Sequence, residues 1–505
     1  MNQPLLYNRQ PPRPAWGVRV DPRKTLSTSE PIVAAPLPTQ VQLPLELGPE
    51  RRAQAVVAPG DYVYTGQPVA RLETGARNVV CASISGRVAA IRPGPIPGPG
   101  PRVAECIVID SDGQDRRHAD CVPAGDPARL AAARLRELIA QAGIVGLGGA
   151  VFPTADKLGG SQPVDLLIVN GAECEPYISC DEMLMRERAA QVLDGARIML
   201  RALGCDRAVV AVESDMPAAR LALRAALDAD RDPRLDIAEV TAKYPAGGER
   251  QLVELLTGRE VPAGGLPRDV GIVCQNVATA AAVSELFRTG CPLISRIVTV
   301  TGGGILNPVN VEARLGAPLA DLVAAAGGYT TTNCDLVMGG PMMGMALAGD
   351  RLPVTEATNC LLVAAPGELS DAQPGYPCIR CAECSRVCPA RLLPQELLVA
   401  CDTQDPDRLE QLHLDACIEC GCCDYVCPSR LTLTPVFAQA KIRQRAHREQ
   451  QRQARLAQQR SEARNARLAA AEKRYADGPA PDAGEAALTD LLARVEQRDE
   501  RGDGG

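Results

Sequence analysis

Aromatic residues are scarce in this chain: three Phe, one Trp and nine Tyr make up 3% of 505 residues. Binding surfaces for single-stranded nucleic acid stack bases on aromatic rings, so that class is excluded. The net charge of −7 and a pI near 5.4 argue against polyanion partners for the chain as a whole. Histidine is also rare, with only His118, His413 and His447. No apolar run approaches the ~20 residues that a membrane-spanning helix needs. The opening MNQPLLYNRQPPRPAW has no cationic start followed by an apolar block, so no signal peptide is expected. A reducing compartment follows, with the chain cytosolic or peripheral on a membrane's cytosolic face, and disulfides are not expected there.

Cysteine is abundant, with 20 residues. Cys378, Cys381, Cys384 and Cys388 precede Pro389, and Cys417, Cys420, Cys423 and Cys427 precede Pro428. Both runs read C-x2-C-x2-C-x3-C-P, the spacing by which bacterial ferredoxins hold [4Fe–4S] clusters. In that arrangement three close thiolates hold one cube and the fourth reaches the other. The expected ligand sets are therefore Cys378, Cys381, Cys384 and Cys427, and Cys417, Cys420, Cys423 and Cys388. A zinc site would use four ligands, often with His, and neither run contains one. Cys422 falls outside the spacing and reads as a packed bystander. The remaining cysteines are scattered and read as small buried residues.

The apolar fraction of 46% supports large cores, and the length implies several domains. Residues 1–30 are Pro- and Arg-rich and are expected to be extended. Val41 to Ile109 reads as short strands with Gly/Pro turns, similar to half of a lipoyl-type barrel-sandwich. No Lys lies between Arg51 and Arg92, so a lipoyl or biotinyl carrier role is excluded. Pro93–Pro101 reads as a loop insertion. From Asp126 helices and strands alternate, which predicts an α/β layered domain: helix 127–142, strand 165–169, helix 182–203, strand 207–212, helix 217–227 and strand 235–240. Arg296–Gly328 reads as strand, glycine turn, strand and helix, a small β-grasp module. After Pro435 the chain is rich in Ala, Gln, Arg and Glu, strong helix formers with few apolar positions. This basic helix is either a solvated tail or a peripheral helix for an acidic partner or anionic lipid.

The second chemical feature is GIVGLGGAVFPTADKL, Gly143–Leu158. Gly146, Gly148 and Gly149 let the backbone come close to a ligand and offer N–H groups, and Lys157 supplies a cation for a phosphate. The loop is neither a P-loop nor a G-x-G-x-x-G opening. By itself it reads equally as a tight turn. Glu173 and Glu175 follow a predicted strand at its carboxyl end, where α/β sheets place ligands.

Four segments together resemble the flavin-binding, NADH-oxidising subunit of respiratory complex I. Gly146, Gly148, Gly149, Ala150, Phe152, Pro153, Thr154 and Lys157 match its glycine loop. Asn170, Glu173, Glu175 and Pro176 match a second motif, Tyr244, Gly247 and Glu249 a third, and Asn276, Val277 and Thr279 a fourth. With the two cysteine runs, the closer resemblance is to the RnfC family, the peripheral flavin and iron–sulfur component of the Rnf-type (Rsx) ion-translocating electron transport complex, from about Pro14 to Lys441. That resemblance implies noncovalent FMN, NAD(H) as substrate, two [4Fe–4S] clusters, other subunits of the complex as partners with ferredoxin reached indirectly, and a peripheral place on the cytoplasmic face of a bacterial inner membrane. It implies that Gly146–Lys157 holds the FMN, with Glu173 and Glu175 near the ribose or nicotinamide.

The expected architecture is multidomain α/β. It comprises an extended segment (1–30), a barrel-sandwich-like β domain (31–125) and a complex I-like FMN/NADH domain (126–292). A β-grasp, SLBB-like module (293–345), a return segment (346–370) and a two-cluster ferredoxin-type helical domain (371–432) follow. A basic helical tail (433–476) and a disordered C-terminus (477–505) complete it. Val151, Gly248, Cys174 and the segment Trp16–Lys24 depart from the family patterns. Two rivals stand beside this reading: a soluble flavin/iron–sulfur cobalamin reductase, and an electron-transfer adaptor with a degenerate flavin site.

Overall fold

The computed structural model describes residues 14–46, 51–72, 79–369, 375–476 and 484–499. The chain divides into two compact units, Met1–Ala438 and Gln439–Gly505. No helix among the described residues is long and apolar enough to cross a membrane.

Two antiparallel sheets come first. One orders Gln40–Pro44, Arg102–Ser111, Gly86–Ile96 and Tyr62–Val63, and the other Ala53–Ala55, Pro68–Leu72 and Val79–Cys81. Alternate residues such as Val41, Leu43, Val63, Val69, Ile107 and Ile109 turn inward and are buried. The loop expected over Pro93–Pro101 is confined to residues 97–101, and Pro93–Ile96 belongs to a strand. Pro93 faces Glu105 and Pro95 faces Val103 within the Gly86–Ile96/Arg102–Ser111 ladder. On its other side Gly86–Ile96 is paired by Tyr62–Val63 at Gly86 and Arg87. Beyond that point it is an edge, where a missing N–H loses no ladder bond.

The α/β layer is built on a parallel four-stranded sheet ordered Leu235–Val240, Ala208–Glu213, Leu166–Gly171, Ile272–Asn276. Its strands are continuous apolar runs because both faces are covered. Leu167, Val169, Val210 and Val212 pack into the large core with helices Ala189–Leu203 and Val277–Thr289. Leu166, Ile168, Val209 and Ala211 face helix Glu249–Thr257 through Leu252, Val253 and Leu256. Chain order reverses between Leu166–Gly171 and Ile272–Asn276, so their carboxyl ends open a crevice of the type that holds ligands in such sheets. The single helix expected over 182–203 is two, Cys180–Glu187 and Ala189–Leu203. Arg188 breaks it with φ −129° and ψ 35°, and its guanidinium donates to Glu312 at 2.6 Å.

A six-stranded sheet follows, ordered Val33–Ala34, Val309–Arg314, Ser295–Thr301, Cys360–Ala364, Asp335–Met338, Met345–Ala346. Cys360–Ala364, expected as part of a return segment outside the module, is an inner strand buried along its whole length. Of the segment expected to be extended over 1–30, residues 1–13 lie outside the described residues, and 14–30 pack onto the rest of the chain. Trp16, Val18 and Lys24 are buried, and Lys24–Leu26 is a 3-10 turn. The Gly17 amide donates to Val387 in the cysteine region, and Val18 bridges Tyr244.

The cysteine region carries short helices, Glu383–Val387, Pro394–Asp402, Pro406–Gln411 and Cys422–Tyr425, before the long helix Leu433–Ala476 begins. Within the second unit every described side chain from Glu449 to Arg474 is exposed, as the lack of an apolar stripe predicts. The expectation of disorder over 477–505 is corrected for Gly484–Asp499, a helix built on Ala, Leu and Glu with an Arg494–Asp490 pair at 2.8 Å. The rest of that stretch lies outside the described residues.

Candidate functional site

The glycine-rich loop follows helix Ala132–Gln141 and doubles back on itself. Gly146 donates to the Phe152 carbonyl at 2.8 Å, and Thr154 to Ile144 at 3.1 Å. Leu147 donates to Thr279 Oγ1 at 2.9 Å, which ties the loop to the start of helix Val277–Thr289. Gly148 lies over Asn276, and a Cβ there would stand 3.3 Å from the Asn276 Cβ. Gly149 has φ +103°, with open space where a side chain would project. Among the described residues the amides of Gly148, Gly149, Ala150 and Val151 have no hydrogen-bond partner. A run of unpaired amides with left-handed residues is a nest for anionic or electron-rich groups. Phe152 is half exposed beside it. Thr154 is fully buried, with its hydroxyl unpartnered.

The other motif residues converge on the same crevice. Asn170 donates to the Gly247 carbonyl at 2.9 Å and accepts from the Ala172 amide at 2.9 Å. Gly247 is required there, because a Cβ would stand 2.1 Å from the Ala172 carbonyl oxygen. Lys157 pairs with Glu249, the first residue of helix Glu249–Thr257. Asn276 caps its own helix at Ala278 and donates to Asp181 at 2.6 Å. Tyr244 turns away from the loop: its hydroxyl donates to the Cys420 carbonyl at 2.7 Å.

The two acids are both held by backbone amides. Glu173 is buried, and its carboxylate accepts from the amides of Asp181 and Glu182 at 3.1 and 3.3 Å. It also lies 3.9 Å from Lys24 Nζ. Glu175 accepts from the amides of Met342 and Met343 at 2.7 and 3.0 Å. Burial raises its pKa, and those amides oppose the rise. Both carboxylates therefore brace the floor of the crevice. Sequence reasoning missed Lys24, Asp181 and Arg296. Arg296 is buried and donates to the Leu147 carbonyl at 3.2 Å. Burial, with Glu173 adding to it, raises Asp181 to about 7. Lys24 closes the segment Trp16–Lys24 that departs from the family patterns, and Asp181 and Arg296 are marked by their contacts with Asn276 and Leu147.

Two small cavities lie in the cysteine region. Cys378, Cys381, Cys384 and Cys427 line one, and Cys388, Cys417, Cys420 and Cys423 line the other. Cys378 and Cys381 are exposed, whereas Cys420 is buried. Cys420 and Cys422 pack with Val18 and Tyr244, which places the second cavity beside the flavin-motif tyrosine.

Three family models match the chain: the RnfC barrel sandwich hybrid domain over residues 15–114, the Nuo51 FMN-binding domain over 139–285 and the SLBB domain over 297–346. The C-type subunit of the ion-translocating oxidoreductase complex of Pseudomonas aeruginosa is 44% identical over 462 residues, which cover 91% of this chain and 59% of the relative. Its counterpart in Cronobacter sakazakii is 41% identical over 494 residues, with 96% and 63% covered. The chain thus spans about three-fifths of the length of these curated relatives. A chain from the crystal structure of an NAD+-reducing [NiFe]-hydrogenase in the H2-reduced state aligns with a TM-score of 0.44 at 22% identity, covering 65% of this chain and 62% of that one. The resemblance to the RnfC family of ion-translocating oxidoreductase subunits, carried in the sequence by four motifs and two cysteine runs, is shown over nine-tenths of the chain.

Proposed function

We propose that this chain is the NADH-linked flavin and iron–sulfur subunit of a membrane-bound ion-translocating oxidoreductase, peripheral on the cytoplasmic face, which exchanges electrons between NAD(H) and ferredoxin. The observation that carries the reading is a nest of free amides, Gly148–Val151, in a chain whose cysteine region holds two thiol-lined cavities, the second of them beside Tyr244. The donor sets fit the groups. Thiolates around small apolar cavities suit iron–sulfur cubes, and the doubled C-x2-C-x2-C-x3-C-P spacing favours cubes over zinc. Unpaired amides suit an FMN phosphate and ring edge, and Lys157, paired here with Glu249, offers a cation from the same motif. A flavin exchanges hydride with NAD(H) and single electrons with iron–sulfur cubes, so the two kinds of group together supply the two-to-one-electron conversion.

The chain's own residues bind, orient and insulate. Gly146, Gly148 and Gly149 admit the ring to the backbone, and Asn170, Asn276 and Thr279 hold the loop and strand ends in register. Glu173 and Glu175, held by backbone amides at the crevice, lie near the ribose or nicotinamide of the bound NAD(H), and Tyr244 links the crevice to the cysteine region. The names of the relatives support assembly with other subunits. The adaptor rival predicts clusters without flavin, and the soluble-reductase rival predicts no association with membranes.

The test is flavin binding by the full-length chain. Acid precipitation should release about one FMN per chain, as expected of a noncovalent site. Lys157→Ala should weaken FMN binding by roughly tenfold or more, because a charge-assisted hydrogen bond contributes about 1.5–3 kcal/mol. Glu249 would also lose its counter-charge. Flavin that stays with the pellet, or affinity unchanged in Lys157→Ala, rejects this placement.

A further inference from the structure

Val151 is the anomaly of the glycine-rich loop. Its φ is +49°, left-handed, and it is β-branched. A β-branched residue there is a genuine outlier, held only where surrounding contacts over-determine it. The contact that does so comes from another module. Arg51, two residues before the strand Ala53–Ala55 of the barrel-sandwich region, donates from one guanidinium nitrogen to the Val151 carbonyl at 2.8 Å. The other terminal nitrogen, Nη2, is buried without a partner. A second arginine, Arg296, grips the Leu147 carbonyl from the six-stranded sheet. Two of the loop's carbonyls are thus held by arginines while the amides of Gly148, Gly149, Ala150 and Val151 remain free.

We infer that Arg51 is a positioning residue for the flavin loop: by holding the Val151 carbonyl it keeps a strained left-handed residue in the conformation that presents the loop amides to the cofactor. The inference rests on the reading that this loop holds FMN. It makes the barrel-sandwich region, which has no carrier lysine, a working part of the flavin site. It also explains how a branched residue is tolerated at this position. The strain and the arginine are coupled, so relieving one removes the need for the other. Glycine adopts φ +49° without strain.

The test is a double-mutant cycle read by FMN titration of flavin-depleted full-length protein, with flavin fluorescence as the signal and iron content as the control. Arg51→Met should weaken FMN about tenfold, the scale of one hydrogen bond from a charged donor. Arg51→Lys should keep most of the affinity, because a single donor is in use. In a Val151→Gly background the same Arg51→Met change should cost less than about threefold, because the cycle isolates the coupling. Iron content should be unchanged throughout. Unaltered FMN affinity in Arg51→Met overturns the inference. So does an equal loss in both backgrounds, or loss of iron together with flavin. If the unmutated chain takes up no FMN, the functional reading itself fails, a result distinct from these.

Discussion

Cys388→Ala is expected to abolish the cluster whose other ligands lie about thirty residues downstream, leaving the cluster of its sequence neighbours in place. Iron should fall from about eight to about four per chain, the content of two cubes and of one. Cys427→Ala should do the converse. The reason is geometric. Cys388 ends the short helix Glu383–Val387 and lines the cavity of Cys417, Cys420 and Cys423, while Cys427 lines that of Cys378, Cys381 and Cys384. Each run forms a turn of helix that carries its last cysteine past its own cavity to the neighbouring one. The two losses should differ in their consequences. The cavity of Cys388 adjoins Tyr244 and Val18, and that of Cys427 has the exposed Cys378 and Cys381 on its rim. Loss of the former should slow flavin reoxidation within the chain. Loss of the latter should spare that step and stop transfer outward. Paired electron paramagnetic resonance spectra of the reduced variants decide the matter. If each variant loses the signal of its own run, the ligation is not crossed.

The two cysteine runs were legible because their spacing sets which thiols share a turn, and the last cysteine of each run lines the cavity of the other. The parallel sheet was legible for a related reason: strands buried on both faces are unbroken apolar runs, and Leu166–Val169 and Ala208–Val212 read as such. What the local pattern hides is pairing over distance. Cys360–Ala364 is apolar wherever it goes, and nothing local says that it runs between Ser295–Thr301 and Asp335–Met338. The prolines of Gly86–Ile96 read as loop residues because an edge cannot be recognised before the sheet is assembled. At the site the motif residues converge, yet the direction of each side chain was not readable. Glu173 and Glu175 stand where acids are expected, but that each is held by a pair of backbone amides, and Glu173 also by a buried cation, was not readable. Lys24 and Arg51 come from segments far away in sequence that belong to no flavin motif.

Lys24→Met is the other substitution with a large expected effect. Lys24 is buried at the carboxyl ends of the parallel strands, 3.9 Å from Glu173 and 3.9 Å from Glu213, and it donates to the Glu173 carbonyl. Asp215 and Glu182 add to the negative field around it. Burial alone would lower its pKa, yet these carboxylates hold it above the ordinary lysine value. Removing one partner of a buried ionic group strands the others and costs about 3–5 kcal/mol. The cost should depend on pH. Lys24 has a raised folded pKa, so its stabilisation is fully present below its unfolded value near 10.5 and is lost only as pH rises through the folded value. It is therefore charged throughout pH 6 to 9. Glu213 is pushed up to about 8, chiefly by burial, with Lys24 opposing the rise. Its folded pKa exceeds its unfolded one, so the penalty of ionising it grows as pH rises from about 4.5 through about 8. Without Lys24 that penalty deepens. The thermal midpoint of Lys24→Met should fall below that of the parent at pH 6, and the gap should widen at pH 9. Flavin retention should fall with it, because Glu173 braces the crevice floor against the same cation. A gap of constant size across that range would mean that Glu213 is not the group left uncompensated.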